Sequence, residues 1–340
     1  PRLLAALRAV LAAERPHLVH LQHLMGLPFA VAGAIRAAGI PFVVTLHDYW
    51  YGCANAQLIT NDTQEICAGP DARFHNCGRC ALARAGLPGQ TWLAPAVAPL
   101  LQQRHRQTNR VLRSAAAVIA PTRFIRDTYR QMGLPADRIV VIPHGIEPPS
   151  DAAALRARAA ARPPDAPLHL GYVGSLGWQK GLHVLVEAVN PLPPDRVRLS
   201  LYGGLDAFPD YVAGLQRQAA HPGIRFMGRI PRAALWTALA DLDLLVVPTL
   251  WYEAFSLVVD EAFAVGVPVL ASDIGVMPER IRHGQDGLLF PPGDAAALRA
   301  ILQRLLANPA ELAALRAHIR PVRTLAEHLA DLDAVYSRLQ

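Results

Sequence analysis

The segment 253–261 holds two carboxylates, Glu253 and Glu261, eight residues apart across a predicted turn from strand to helix. The preceding residues 243–248 form a short apolar run that is typical of a buried strand. Residues 257–265 have helical composition and end at a glycine, a usual helix terminator. The two carboxylates therefore stand at either side of a helix N-terminus.

Ser256 is a candidate N-cap for that helix. The amides of Ser256, Leu257 and Val258 would then form an anion site, because the first N–H groups of a helix have no partner within it. Carboxylates accept hydrogen bonds from hydroxyl groups. A phosphate on these amides would suit a nucleotide sugar, with its ribose at Glu261 and its hexose at Glu253. The alternative is that Glu253 ends a loop and Glu261 lies on a solvated helix face, which an isolated pair of this spacing favours.

A glycine-rich segment at residues 171–181 follows another predicted strand. Glycines allow a backbone to approach a ligand closely. Lys180 supplies a compact positive charge for a diphosphate, and Gly181 opens a helix whose dipole favours the same anion. The alternative is a glycine-rich turn that carries a surface lysine.

All four cysteines lie between residues 53 and 80. Cys77 and Cys80 form a Cys-x2-Cys pair, which is common in metal sites, whereas the spacing to Cys53 and Cys67 is not that of a standard zinc finger. Three interpretations stay open: a structural zinc site, reduced packing cysteines, and an iron–sulfur cluster. Any metal here would brace an acceptor-facing loop and need not take part in the chemistry.

The composition indicates a two-domain globular protein. The chain has 340 residues, of which 52% are hydrophobic and 18% charged. Its formal net charge is +6, but no zinc-finger, KH or RRM pattern supports nucleic acid binding. The same charge would suit attraction to anionic lipids or to phosphorylated sugars, or it reflects arginine-rich coding without function. No apolar stretch reaches the ~18 residues of a membrane span and no signal peptide opens the chain, so we expect a cytosolic protein.

Strands and helices alternate in two series, which predicts an α/β fold of two doubly wound parallel-sheet domains with a ligand crevice between them. We predict an N-terminal domain, a linker, a C-terminal domain that binds the nucleotide sugar, and a final helix that returns to the first domain. Their limits are residues 1–147, 148–167, 168–320 and 321–340. Within the first domain, residues 48–99 form a long loop with little periodicity, and a basic helix covers residues 100–113. The helix carries Arg104, Arg106, Arg110 and Arg113.

Residues 246–273 strongly resemble the donor-site signature of retaining GT-B glycosyltransferases of family 4, and so do residues 275–279 and 283–294. The resemblance extends from about His17 to Asp294 and its motifs are specific. It implies a GT-B fold, with two Rossmann-like domains facing a cleft. It also implies transfer of a hexose from a nucleotide-diphosphate sugar, UDP- or GDP-linked, to a hydroxyl of a saccharide or lipid-linked acceptor, with retention of configuration.

The resemblance assigns roles to individual residues. It implies that His47, at the end of a predicted strand, and Glu253 are catalytic, and that the segment 143–147 closes the N-terminal domain. Ser175 occupies the position of an arginine in many members, so the diphosphate would depend more on Lys180 and the helix amides. The implied donor-binding residues are Gly174, Ser175, Lys180, Glu253, Phe255, Ser256, Leu257 and Glu261.

Asp241 and Asp243 precede a strand and suit a structural role, so we expect catalysis without a metal ion, with Lys180 and the helix dipole in its place. The resemblance further implies that basic surfaces of the N-terminal domain meet anionic membranes, and that leading elements, including a glycine-rich loop, are absent from this chain. A sugar phosphorylase, a nucleotide-sugar epimerase and a non-catalytic nucleotide-sugar-binding module are the rival functions.

Overall fold

The computed structural model describes residues 2–134, 138–161, 163 and 166–339, which form two units. The first unit comprises the residues up to His144 and those from Ala326 onward, and the second comprises Gly145–Leu325. No helix in these ranges is both long and apolar enough to cross a membrane.

The first unit is built on a sheet of four parallel strands whose spatial order follows the chain. Its strands are β1 (Val19–Leu21), β2 (Phe42–Thr45), β3 (Ala117–Ala120) and β4 (Ile139–Val141). Its helices are α1 (Arg2–Glu14), α2 (Ala30–Ala37), α3 (His75–Arg84), α4 (Ala94–Ser114) and α5 (Arg123–Gln131), together with a last helix, Leu325–Ser337, that packs Val335 into this unit's core. The two central strands, β2 and β3, are buried along their whole length, as their unbroken apolar runs predict.

The segment 48–99 is more regular than the sequence suggested. The helix α3 lies within it, and α4 begins at Ala94 rather than at residue 100. The side chains of α3 are too polar to show the apolar periodicity of a helix. Tertiary packing against α4 stabilises it instead. Gly78 permits this packing, since a Cβ there would stand 2.6 Å from the Ala94 carbonyl oxygen.

Arg104, one of the four arginines of the predicted basic helix, does not point into solvent. Its guanidinium points inward, donating a 2.6 Å hydrogen bond to the Trp50 carbonyl oxygen and lying 4.7 Å from the centre of the Trp50 ring. Cation–π contact and the hydrogen bond together keep this arginine out of the solvated face.

The second unit contains six parallel strands in the spatial order β7-β6-β5-β8-β9-β10. The strands are β5 (Leu168–Val173), β6 (Val197–Tyr202), β7 (Ile224–Gly228), β8 (Leu244–Val247), β9 (Val269–Ser272) and β10 (Gly287–Phe290). The helices are α6 (Ala152–Ala160), α7 (Leu182–Val189), α8 (Pro209–Gln218), α9 (Arg232–Ala240), α10 (Leu257–Ala264), α11 (Met277–Arg280), α12 (Ala295–Ala307) and α13 (Pro309–Ala317). The last helix of the first unit is accordingly α14.

The strand order of the second unit reverses between β5 and β8, which are neighbours in the sheet. From β5 the chain proceeds through β6 to β7 on one side, and from β8 through β9 to β10 on the other. In an open parallel sheet the loops at such a switch point diverge and leave a crevice at the carboxyl ends of the strands. The predicted α/β class with two parallel-sheet domains is confirmed. The predicted linker contains α6, while its residues Arg162, Pro164 and Asp165 lie outside the described ranges.

Candidate functional site

Two loops meet at the switch point of the second unit: residues 174–181 after β5 and residues 248–256 after β8. Gly181 fixes their contact. Its φ of +69° lies in the left-handed region, and a Cβ there would stand 1.9 Å from the Pro248 carbonyl oxygen. The Leu250 amide donates to the Gln179 carbonyl oxygen at 2.9 Å. Only glycine suits this close approach, so the glycine-rich segment has a structural reason as well as the predicted functional one.

Lys180 and Glu253 form an ion pair across these two loops. The Lys180 Nζ lies 2.7 Å from Glu253 Oε1, and the same oxygen accepts hydrogen bonds from Thr249 Oγ1 at 3.2 Å and Trp251 Nε1 at 3.0 Å. The ammonium also lies 5.2 Å from the centre of the Trp251 ring. Glu253 is 8% exposed, so it is a buried carboxylate held by polar neighbours and not a loop end in solvent.

Gly174 and Ser175 begin the loop after β5. Gly174 has a φ of +157°, and its carbonyl oxygen would be 2.1 Å from a Cβ at position 203, where glycine also stands. The Tyr172 hydroxyl donates to the Ser175 carbonyl oxygen at 2.7 Å, while Ser175 itself is exposed. Burial, with a smaller contribution from Glu253, raises the pKa of Tyr172, so this phenol stays protonated. The loop thus exposes a serine whose backbone is held by the Tyr172 hydroxyl.

Ser256 occupies the position before α10, but it does not cap the helix through its side chain as predicted. Its φ and ψ of 64° and 72° are left-handed, and its hydroxyl makes no cap hydrogen bond. A non-glycine residue in this conformation costs roughly 1–2 kcal/mol, and such strain is concentrated at functional sites. Because the hydroxyl makes no cap hydrogen bond, it leaves the first amides of α10 to another acceptor. Leu257, the first helical residue, is 46% exposed.

Phe255 is held from the other side of the turn by Arg280. The guanidinium lies 3.9 Å from the centre of the Phe255 ring and forms an ion pair with Asp260. Burial raises the pKa of Asp260, an effect that Arg280 opposes. No local sequence pattern singles out Asp260 or Arg280, because their pairing joins α10 to α11 across the fold.

Glu261 is buried inside α10, with 6% of its surface exposed. It forms an ion pair with Arg232, the first residue of α9, whose guanidinium lies 5.1 Å from the centre of the Trp236 ring. The interpretation of Glu261 as a solvated helix face is therefore wrong. Arg232 itself is largely exposed, so the pair is open to solvent on the arginine side.

In the first unit, His47 follows β2 and Gln22 follows the neighbouring β1. The His47 Nε2 lies 2.7 Å from Gln22 Oε1, and the two rings of His47 and His144 stack at 5.6 Å. His144 meets His328 of α14 edge to face, also at 5.6 Å, and His328 Nδ1 donates to the Pro143 carbonyl oxygen at 2.9 Å. His47 thus belongs to a row of three imidazoles that only tertiary structure assembles.

Two imidazoles of this unit, His47 and His20, are predominantly neutral. Burial is the main cause that lowers the pKa of His47, and His23 adds to it, while Asp48 opposes it. Burial also lowers the pKa of His20 to about 4. His20 lies between Thr45 Oγ1, at 2.7 Å from Nε2, and the Tyr336 hydroxyl, at 2.6 Å from Nδ1. A neutral His47 can donate one hydrogen bond and accept another.

The structure also places the remaining candidates. Asp243 accepts hydrogen bonds from the His169 amide and from Arg316, and Asp241 pairs with Arg158, so both aspartates have structural partners.

The four cysteines are free thiols, and burial raises the pKa of Cys77 to about 12. Among the residues that the structure describes, no three histidines, cysteines or carboxylates stand in a metal-binding arrangement. The zinc site stays a prediction.

Two family models match this chain. Residues 1–145 match the model described as "Glycosyl transferase 4-like domain", and residues 167–308 match "Glycosyl transferases group 1". The second match contains both loops at the switch point. The glycosyltransferase resemblance of the sequence is thus confirmed at the level of these two domains.

The chain is also similar to curated enzymes and to solved structures. It is 34% identical over 243 residues to a D-inositol 3-phosphate glycosyltransferase of Xylanimonas cellulosilytica, which covers 67% of this chain and 57% of that protein. It is 27% identical over 321 residues to a glycogen synthase of Mycobacterium tuberculosis, covering 89% and 72% respectively. The crystal structure of Anabaena HepE in complex with UDP and glucose has a TM-score of 0.69 at 22% identity and covers 99% of this chain and 81% of that one. The fold is accordingly GT-B.

Proposed function

We propose that this chain, a GT-B protein that joins a glycosyltransferase 4-like domain to a glycosyltransferase group 1 domain, transfers a hexose from a nucleotide-diphosphate sugar to an acceptor hydroxyl with retention of configuration. The observation that carries the proposal is the Lys180–Glu253 pair at the switch point of the second sheet. A cation, a buried carboxylate and a helix N-terminus meet where parallel sheets bind nucleotides.

On binding, the donor diphosphate would replace Glu253 as the ion-pair partner of Lys180. In the free protein the two side chains neutralise each other at 2.7 Å. A diphosphate offers Lys180 a stronger anion, and the first amides of α10 bind the same phosphates. Glu253, released from the ammonium, then accepts hydrogen bonds from sugar hydroxyls. Glu261, one turn into α10, accepts hydrogen bonds from the ribose.

Leaving-group stabilisation is the catalytic contribution of Lys180 and the α10 amides. Negative charge grows on the diphosphate as the glycosidic bond breaks, and preorganised donors stabilise that charge more in the transition state than in the ground state. We propose that transfer needs no divalent cation, since these groups supply the positive charge. Neutral His47 would hydrogen-bond to the sugar or to the reacting centre.

The choice of donor is guided by the relatives, although the chain spans only 57% of the Xylanimonas protein. HepE is bound to UDP and glucose, so UDP-glucose is the first donor to test, followed by other UDP-, GDP- and ADP-sugars. A thermal-shift screen identifies the donor, because a ligand that binds the folded state raises its stability.

Transfer is then measured with the selected donor and a panel of saccharide acceptors, in magnesium-free buffer and in buffer with magnesium. We expect a glycosylated product whose anomeric configuration, read by NMR early in the reaction, matches that of the donor. A product of inverted configuration contradicts retention. Turnover that requires inorganic phosphate indicates a phosphorylase, interconversion of the sugar indicates an epimerase, and binding without turnover indicates a non-catalytic module.

A basic groove in the first unit supports a peripheral contact with anionic membranes at the cytoplasmic face. The groove, between α2 and α4, has a volume of about 610 Å³ and is lined by Arg36, Arg106, Arg110 and Arg113. Trp92 and Leu100, near the start of α4, are 75% and 72% exposed. Basic residues near an anionic bilayer contribute about 1 kcal/mol each. Exposed aromatic and aliphatic side chains add apolar contact.

Vesicle sedimentation tests this contact. We expect binding to vesicles with anionic lipid and none to neutral vesicles, and we expect the double substitution Arg106→Gln/Arg110→Gln to weaken it. The pair Arg299→Gln/Arg304→Gln removes the same charge from the second unit and should leave binding unchanged. Equal losses from both pairs would mean that net charge, and not the groove, governs the interaction.

A further inference from the structure

A small cavity lies in the segment that joins β2 to α4, and all four cysteines of the chain line it. Its volume is about 70 Å³. The other polar side chains around it are Asn55, Thr60, Asn61, Asn76 and Arg84. No function proposed above uses this cavity.

Three separate pieces of backbone bring the cysteines together. Cys53 lies in the turn after β2, Cys67 follows an antiparallel bridge between Ile59 and Ile66, and Cys77 and Cys80 lie on α3. The two helical cysteines are one turn apart and therefore share a face. Thiols that are distant in the chain thus line one cavity, which simple packing of small side chains does not require.

Two of the sulfurs already accept N–H hydrogen bonds. The Gly69 amide lies 3.4 Å from Cys67 Sγ. The Asn61 backbone amide and side-chain amide lie 3.4 and 3.2 Å from Cys80 Sγ. Hydrogen bonds of this kind support the ligands of metal sites.

The surroundings also carry positive charge. Arg84 stands in the cavity wall, where its guanidinium donates to Asn55 Oδ1 at 2.9 Å. Four thiolates around a divalent cation leave two net negative charges. A guanidinium beside them offsets part of this charge.

We propose that Cys53, Cys67, Cys77 and Cys80 bind a thiolate-preferring metal in this cavity, with one zinc ion as the occupant, and that the metal braces the segment between β2 and α4. The thiols do not stand in a metal-binding arrangement among the described residues, so they turn into the cavity as the ion binds. Each thiol releases its proton to solvent as its sulfur bonds to the metal. No oxidation or reduction takes place.

Metal analysis of the untagged full chain, purified without chelator, tests the proposal. We expect about one zinc per chain, with roughly 2.3 Å Zn–S distances and four sulfur neighbours by X-ray absorption. Iron with acid-labile sulfide overturns zinc as the occupant and identifies an iron–sulfur cluster on the same thiolates. Metal-free protein that takes up no added zinc overturns the proposal, whether its four thiols titrate freely or have formed disulfides.

Variants keep the test informative if the site is needed for folding. Cys77→Ser and Cys80→Ser should each lower the zinc content several-fold, whereas His75→Ala, which removes a non-ligand two residues before Cys77, should retain it. Zinc content that stays at the wild-type value in both cysteine variants overturns the assignment. If a variant does not fold, the wild-type protein, freed of metal by a chelator and then given Co²⁺, provides the second measurement: a thiolate-to-cobalt absorption band supports the site, and its absence counts against it.

Discussion

The Lys180 Nζ lies 2.7 Å from Glu253 Oε1 and joins the loop after β5 to the loop after β8. Lys180 is the only lysine in a chain with 33 basic Lys and Arg side chains. A lysine ammonium is a compact point charge, whereas a guanidinium is broad and planar. Thr249 and Trp251 donate hydrogen bonds to the same Glu253 oxygen, so the ammonium shares this oxygen with two further donors.

Replacement of Lys180 by methionine should weaken UDP binding far more than uridine binding, because its proposed partner is the diphosphate. A charged hydrogen bond contributes about 1.5–3 kcal/mol. Calorimetry with both ligands measures the difference. Arg304→Met, which removes a surface charge on α12, should change neither affinity. Equal losses for UDP and uridine in Lys180→Met would show that Lys180 does not bind the phosphates.

The single lysine allows a second test without mutation. Limited acylation with an amine-selective reagent should modify Lys180 and the N-terminal amine, and UDP should slow the reaction at Lys180 only. The physical reason is that a bound diphosphate covers the ammonium. Mass spectrometry quantifies both sites, with the N-terminal amine as the internal control. Protection by uridine alone to the same extent would speak against a phosphate contact.

Glu261→Gln should weaken donor binding, because an amide is a poorer acceptor for the ribose hydroxyls than a carboxylate. The expected loss is about 1.5–3 kcal/mol by calorimetry. Arg232→Met is the matched control, since it breaks the same ion pair but leaves the carboxylate. If both variants lose the same affinity, the ion pair and not a ribose contact accounts for the effect.

His47→Ala should lower kcat by orders of magnitude and leave the affinity for UDP nearly unchanged. The nucleotide determinants proposed here belong to the second unit, and an interaction made only in the transition state is lost from kcat. Steady-state rates and calorimetry on the same preparation separate the two effects. His17→Ala, an exposed histidine before β1, is the control. An intact transfer rate in His47→Ala would remove it from the catalytic groups.

Stability should fall as the pH decreases from about 6.5 to about 4. The pKa of His20 in the folded protein is about 4, below its ordinary value of 6.5, because the ring is buried. The unfolded chain therefore binds the proton first, and the contribution of His20 is complete above pH 6.5 and lost as pH falls through 4. Urea unfolding should show that His20→Gln destabilises the protein more at about pH 7.5 than at about pH 4.5. A pH-independent difference would contradict this.

Local patterns in the sequence determined most of the elements and the position of the two loops at the switch point. An unbroken apolar run identified β8, because a strand buried on both faces needs apolar side chains throughout. Gly181, Lys180 and the 253–261 segment were recognisable because close backbone approach and helix N-termini have local signatures. The helix α3 was missed because its side chains lack an apolar period, and its stability comes from packing on α4.

Only the tertiary structure decided which groups meet. The pairs Lys180–Glu253 and Arg232–Glu261 join residues that are far apart in the chain, and no periodicity links them. The row of His47, His144 and His328 depends on α14 returning to the first unit. The left-handed backbone of Ser256 replaced the expected side-chain cap. Local sequence encodes local geometry, whereas long-range contacts and burial, which set charge pairing and pKa, arise from the packing of the whole fold.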